Sequence, residues 1–363
     1  MRIGVPKEIK THEYRVGLTP ASVKEVLAHG HAVLIEKNAG VGIGVSDAQY
    51  AKLGAQIRNT AAEVFAEAEL IIKVKEPQPS EVAMLRAGQV LFTYLHLAAD
   101  PALAQALAAT GVVGIAYETV TAADGSLPLL APMSEVAGRL AIQAGARCLE
   151  RTMGGSGVLL GGVPGVAPAE VVVIGGGVVG TNAIQMAVGL QAQVTVLDKS
   201  LPRLRQLDAQ FGGRLTTIFA TRDSLEAYSE RADLVIGAVL IPGAAAPKLV
   251  TRAMLSRMKP GAVIVDVAID QGGCAETSRP TTHAEPTFII DQIVHYCVAN
   301  MPGAVPRTSA LALNNATLPF VLRLADLGHL RALASDPHLS NGLNVIDGNI
   351  VHPGVMAAMP RAA

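Results

Sequence analysis

Residues 171–180, Val-Val-Val-Ile-Gly-Gly-Gly-Val-Val-Gly, constrain the fold more than any other stretch of this chain. Four branched apolar residues in a row suit a strand buried on both faces, as at the centre of a parallel sheet. Gly175, Gly177 and Gly180 then complete a G-x-G-x-x-G. Ala183, Ile184, Ala187 and Leu190 follow at helical spacing, and a second strand over 194–197 stops at Asp198. Each glycine has a mechanical reason. Gly175 permits the tight turn, Gly177 lets the backbone approach a pyrophosphate, and Gly180 lets helix and strand pack closely. The helix N-terminus then faces the phosphates with free N–H groups and a partial positive charge. Asp198 lies 18 residues beyond Gly180, where a carboxylate accepts from ribose hydroxyls. A glycine motif alone is an ordinary βα turn. Strand, helix, second strand and terminal acid in order read as a dinucleotide-binding unit.

That unit accounts for less than half of the 363 residues, so a second α/β domain is expected. Half the residues are apolar, only 3% are aromatic and none is Trp, which fits parallel α/β packing built from small branched side chains. The formal charge of −1 offers no basic surface for nucleic acid. The N-terminus starts as a strand with no apolar leader, and no apolar run has the length of a membrane span. Cys148, Cys274 and Cys297 are odd in number and widely spaced, as expected of reduced structural thiols. A cytoplasmic protein without membrane or nucleic-acid partners is the expectation.

Before the glycine motif, apolar runs over 3–5, 32–36, 70–75, 90–95 and 112–117 alternate with helical ones. Thr19-Pro20 opens one helix and Gly30 follows it; Ser46 opens another and Gly54 closes it. A long helical pattern over 134–153 connects to a glycine-dense stretch, 154–165, which lacks Gly-Lys-Ser/Thr and reads as a hairpin or flap. After Asp198, strands are expected over 215–220, 234–239, 263–267 and 296–299, and an apolar helix over 308–327. The predicted fold is two α/β domains separated by an active-site cleft. The first is discontinuous, 1–130 plus 306–363; the second, 131–305, is a Rossmann-type doubly wound parallel sheet.

Four segments place polar groups just past the carboxyl ends of predicted strands, where open α/β sheets bind ligands. They hold Arg15, Lys75, His96 and Asp270. Arg15 offers a planar fork for a carboxylate, Lys75 a point charge, and His96 an imidazole that titrates near neutrality. Taken singly, these are ordinary residues: a loop arginine, a strand-edge lysine, a strand-end histidine and a turn aspartate.

Together with the stretches 4–20, 73–77, 92–98, 133–135, 161–180 and 265–273, they resemble the alanine dehydrogenases, which share a fold with the first domain of nicotinamide nucleotide transhydrogenase. The resemblance covers essentially the whole chain. It implies reversible oxidation of L-alanine by NAD to pyruvate, ammonium and NADH. Arg15 and Lys75 are then substrate-binding, and His96 and Asp270 catalytic. The resemblance adds to the cofactor site Ser134, Val178, Val179, Arg203, Val239, Leu240, Val267, Ala268, Ile269, Asp270, Arg279, Val298, Ala299, Asn300 and Met301. Arg203, one turn after Asp198, has the further warrant of stacking on adenine or neutralising charge. A homo-oligomer, usually a hexamer, is implied as well. No metal is expected: His12, His29 and His31 lack zinc-type pairing, and Arg323 and Leu327 stand where some relatives carry an acid and a histidine. Two rival functions are a soluble transhydrogenase domain and a catalytically silent NAD-binding scaffold.

Overall fold

The computed structural model describes residues 1–239 and 246–359. The chain forms two compact units: Met1–Met133 together with the segment from Val305 onward, and Ser134–Ala304.

In the first unit the strands are β1 (Arg2–Val5), β2 (Ala32–Glu36), β3 (Gln56–Arg58), β4 (Leu70–Ile72), β5 (Val90–Thr93), β6 (Val113–Ala116), β14 (Leu343–Ile346) and β15 (Asn349–Ile350). They lie in the order β15-β14-β6-β5-β4-β1-β2-β3. The stretch from β3 to β6 is parallel, while β14 returns antiparallel to β6 after the long helix Pro306–Leu327. Parallel strands require crossovers, and the caps legible in the sequence begin them. Pro20 stands at the start of the helix Pro20–Ala28, and Ser46 accepts from the Gln49 N–H to open Asp47–Leu53. Leu34, Phe65, Ile71, Leu91, Leu107 and Val345 pack into one core between sheet and helices.

In the second unit the strands are β7 (Glu170–Ile174), β8 (Gln193–Asp198), β9 (Leu215–Phe219), β10 (Leu234–Gly237), β11 (Val263–Asp266), β12 (Thr287–Ile290) and β13 (Ile293–Tyr296). Their order, β12-β13-β11-β10-β7-β8-β9, reverses direction of travel between β7 and β10, which makes the end of β7 a topological switch point. Among these described strands only the β12–β13 pair is antiparallel. This is a doubly wound sheet with Val172, Ile174, Val235 and Ile264 in its core.

Several expected boundaries move. The fourth strand ends at Ile72 rather than at residue 75, because the N–H groups of Val74 and Lys75 leave the ladder for the Glu8 carboxylate. The last parallel strand of the second unit is Ile293–Tyr296 rather than 296–299. His295 disguises it: the imidazole is buried, bonded to the Thr277 hydroxyl and the Ile293 carbonyl and stacked on Phe288. The connecting helix runs Ala131–Cys148, three residues earlier at its start than expected, since Pro132 is tolerated in a first turn. The glycine-dense stretch holds a tight turn in which Val163 and Val166 exchange two main-chain hydrogen bonds.

Candidate active site

The expected site residues divide between the two units. In the first, all three stand beyond the carboxyl ends of β1, β4 and β5, which the parallel ladder keeps adjacent. Arg15 is nearly fully buried. Its Nε donates to Glu13 Oε1 at 2.6 Å and its second terminal nitrogen to Glu13 Oε2 at 2.5 Å, a two-pronged pair that fixes the guanidinium plane. The remaining terminal nitrogen lies 2.9 Å from Met133 Sδ. Burial alone disfavours its charge, but the Glu13 bonds outweigh that and raise the Arg15 pKa.

Lys75 is half-buried and its main chain is held from both sides. Its N–H reaches Glu8 Oε1 at 3.4 Å, and its carbonyl accepts the Thr93 hydroxyl at 3.0 Å. His96 adopts a left-handed backbone with φ of 51°, uncommon for a residue with a Cβ. The Glu118 carboxylate accepts the main-chain N–H groups of Leu95 and His96, the latter at 2.6 Å, and its oxygen lies 3.9 Å from His96 Nδ1. The imidazole stacks on Tyr94 with the planes 3° apart. Tyr94 is buried and bonds the Leu129 carbonyl at 2.5 Å; burial raises its phenol pKa, with the Arg15 charge opposing.

In the second unit the glycine loop has the geometry that a dinucleotide needs. A Cβ on Gly180 would lie 1.8 Å from the Gly175 carbonyl oxygen, so helix and strand pack there with nothing to spare. A Cβ on Gly177 would meet nothing within 4 Å, which leaves its backbone open to a ligand. Val178 and Val179 form the first turn of the helix Val178–Gly189, and Val178 is exposed. Asp198 ends β8; its carboxylate accepts the Gly176 and Ser200 N–H groups, each at 2.7 Å. Arg203 braces the same loop, with Nε on the Gly176 carbonyl and a terminal nitrogen on the Thr181 hydroxyl, both at 2.7 Å.

Asp270 is exposed on the turn Val267–Gln271 after β11, which also carries Val267, Ala268 and Ile269. Buried Asp266 at the end of that strand anchors the return by accepting from the Cys274 N–H at 2.8 Å and the Ser278 hydroxyl at 2.6 Å. Val298, Ala299, Asn300 and Met301 follow β13, and the Asn300 carbonyl contacts His283 Nε2 at 3.1 Å. The Arg279 guanidinium covers the Phe288 ring at 4.4 Å. Ser134 is half-buried on the helix Ala131–Cys148, and Val239 follows β10. Leu240 lies outside the described residues. Among the described residues no cluster of three metal-ligating side chains occurs; Arg323 instead pairs with Asp336.

Glu13, Glu118 and Glu8 were not singled out from sequence. Glu118 stands two residues past the end of β6, so the strand-end rule that picks His96 is also its signal. Glu8 and Glu13 lie in the segment that carries Arg15, and only their contacts distinguish them from solvated acids.

Comparison with known proteins identifies the family of the chain. Residues 4–137 match the family described as "Alanine dehydrogenase/PNT, N-terminal domain" and residues 141–353 its C-terminal domain. An alanine dehydrogenase of Halomonas elongata is 62% identical over 358 residues, 99% of this chain and 96% of that one. One of Mycobacterium tuberculosis is 57% identical over 351 residues, covering 97% and 95%. A solved L-alanine dehydrogenase superposes with a TM-score of 0.96 at 52% identity, covering 99% of each chain. A transhydrogenase from Sinorhizobium meliloti superposes with a TM-score of 0.83 at 26% identity, covering 97% of this chain and 99% of that one.

Proposed function

Because this chain belongs to the alanine dehydrogenase/PNT family, we propose that it oxidises L-alanine reversibly, with NAD+ and water, to pyruvate, ammonium, NADH and a proton. The observation that carries this reading is the first-unit arrangement. A buried arginine is braced by Glu13, a lysine has its main chain fixed on both sides, and a histidine is gripped by Glu118. A catalytically silent scaffold has no use for a buried guanidinium held flat or for a left-handed histidine.

Arg15 and Lys75 hold the substrate carboxylate, which is charged before and after reaction. Fixing both cations in advance reduces the ordering that binding must impose. The cofactor site fits a nicotinamide dinucleotide: Gly175, Gly177 and Gly180 shape the turn, the N–H groups at Val178 and Val179 face phosphate, and Asp198 takes ribose hydroxyls. Bound there, the nicotinamide supplies the hydride acceptor. His96 takes the proton from the water that attacks the imine carbon and returns one to the departing amine. Asp270 adds negative charge to offset the iminium and orients the incoming water.

NAD+ rather than NADP+ is favoured because the Asp198 carboxylate repels a 2′-phosphate. We take the protein to be a cytoplasmic homohexamer, as the family resemblance implies; exposed Leu159, Val163 and Val166 are apolar surface available to such contacts. The test is NADH formation from L-alanine and NAD+ by the purified protein alone. Activity appearing only when a second nucleotide-binding partner is supplied, with none toward alanine, would select the transhydrogenase reading. NADH binding without turnover would select the scaffold.

A further inference from the structure

We propose that Glu8 is a positioning residue for the substrate-carboxylate clamp, tying the main chain at Lys75 to the segment that leads into Arg15. The proposal rests on the reading of Arg15 and Lys75 as substrate-binding residues. Strands β1 and β4 run side by side, with Ile3 opposite Leu70 and Gly4 opposite Ile71. Beyond their ends the two segments leave the sheet, one toward Arg15 and the other through Lys75. Glu8 bridges them. Its Oε1 accepts the Val74 N–H at 2.7 Å and the Lys75 N–H at 3.4 Å, and its Oε2 lies 3.1 Å from the Lys73 ammonium.

Lys73 is fully buried and also bonds Glu81 Oε1 at 2.7 Å. Two carboxylates therefore share one ammonium in the interior, and burial raises the Glu8 pKa while Lys73 opposes that. Such an arrangement is expensive, and apolar side chains of similar volume serve stability as well or better. What apolar side chains lack is an acceptor for two N–H groups that have left the ladder. Glu8 supplies it, and the Thr93 hydroxyl on the Lys75 carbonyl holds the other side. The lysine side chain then starts from a fixed point. Glu81 shares the ammonium but accepts elsewhere, from the Gln78 N–H at 2.8 Å.

Steady-state kinetics in both directions test this, with Glu8→Met, Glu81→Gln and Lys75→Gln beside the parent enzyme. Glu8→Met removes both acceptor oxygens at similar volume and should raise the KM for alanine and pyruvate by roughly 10- to 100-fold, the scale of a small misplacement of a binding group, with kcat within about threefold. Glu81→Gln removes a carboxylate from the same ammonium without releasing the Lys75 segment, so its effect on KM should be much smaller. A merely structural role predicts otherwise: a partly unfolded variant has fewer active molecules, which lowers kcat and leaves KM unchanged. If Glu8→Met fails to fold, Glu8→Met combined with Lys73→Met removes the stranded ammonium and asks the same question. Parental KM in the Glu8 variants, or an equal rise in Glu81→Gln, overturns the proposal. An unchanged KM in Lys75→Gln overturns the underlying reading of Lys75 instead.

Discussion

The Glu118 carboxylate accepts the main-chain N–H of His96 at 2.6 Å while standing 3.9 Å from that residue's Nδ1. One acid thus holds the histidine in a left-handed backbone and supplies a negative charge beside its ring. Such a backbone costs on the order of 1–3 kcal/mol, so the surroundings must impose it. Glu118→Gln keeps the shape and one acceptor oxygen but loses the charge. Its kcat should fall by roughly 10- to 100-fold, less than the 10²–10⁴ expected for losing the acid–base group itself. NADH binding, measured by fluorescence titration, should persist. A parental kcat would reduce Glu118 to a backbone anchor.

On the proposed reading Arg15 grips a carboxylate that keeps its charge throughout, so its contribution is mostly uniform binding. Arg15→Lys loses the two-pronged pair with Glu13 and should raise KM for alanine and pyruvate more than it lowers kcat. In the same proposal Asp270 and His96 meet charge that develops during reaction. Asp270→Asn and His96→Ala should each lower kcat by roughly 10²–10⁴ with NADH binding retained. The two patterns in one set of initial-rate measurements separate binding from chemistry. A variant that breaks its pattern loses its assigned role.

Gly180 has no room for a methyl group, since its Cβ would sit 1.8 Å from a main-chain oxygen. Gly180→Ala must push the helix Val178–Gly189 away from β7, at a cost of about 1–3 kcal/mol. Thermal unfolding should register that loss, and NADH titration should register weaker binding. Gly177→Ala meets no protein atom, so any weakening it causes should appear in NADH affinity and hardly in the melting temperature.

Asp198 is expected to set cofactor choice. Asp198→Gly removes the charge that opposes a 2′-phosphate and should narrow the preference for NAD+ over NADP+ by about 1–3 kcal/mol in kcat/KM. Equal use of both cofactors by the parent enzyme would remove Asp198 from this role.

His295 links stability to pH. Burial lowers its pKa from the ordinary 6.5, with the Ile293 carbonyl and the Asp266 charge pulling the other way. Above that value the imidazole is neutral in both folded and unfolded chains, and no penalty arises. As pH falls below it, the unfolded chain takes up a proton that the fold resists, so stability drops toward the lower folded pKa. The decline in melting temperature between about pH 7.5 and 5.5 should therefore be smaller in His295→Gln than in the parent. Equal declines would mean that other groups carry the acid sensitivity.

Much of this protein is legible one segment at a time. Residues 171–198 declare a strand, a glycine turn, a helix and a second strand with a terminal acid, because every part depends on local sterics and periodicity. Ser46 with Gln49 and Pro20 after Thr19 mark helix starts for the same reason. His295 shows where such reading stops. Its polarity hides a buried strand, since the hydroxyl that satisfies its Nε2, on Thr277, stands 18 positions away.

What the sequence by itself determined is the class of fold, the dinucleotide loop and the strand ends at which chemistry sits, since all of these follow from nearest-neighbour sterics and burial patterns. Which acids matter was decided only by the tertiary structure. Glu8, Glu13 and Glu118 read as three unremarkable carboxylates until the parallel sheet lines up the ends of β1, β4, β5 and β6. There, Glu8 lies 3.1 Å from the Lys73 ammonium, 65 positions along the chain, and Glu118 accepts the N–H of His96, 22 positions away. A carboxylate's role depends on which donors surround it out of water, and strand pairing brings those donors together from parts of the chain that share no local pattern.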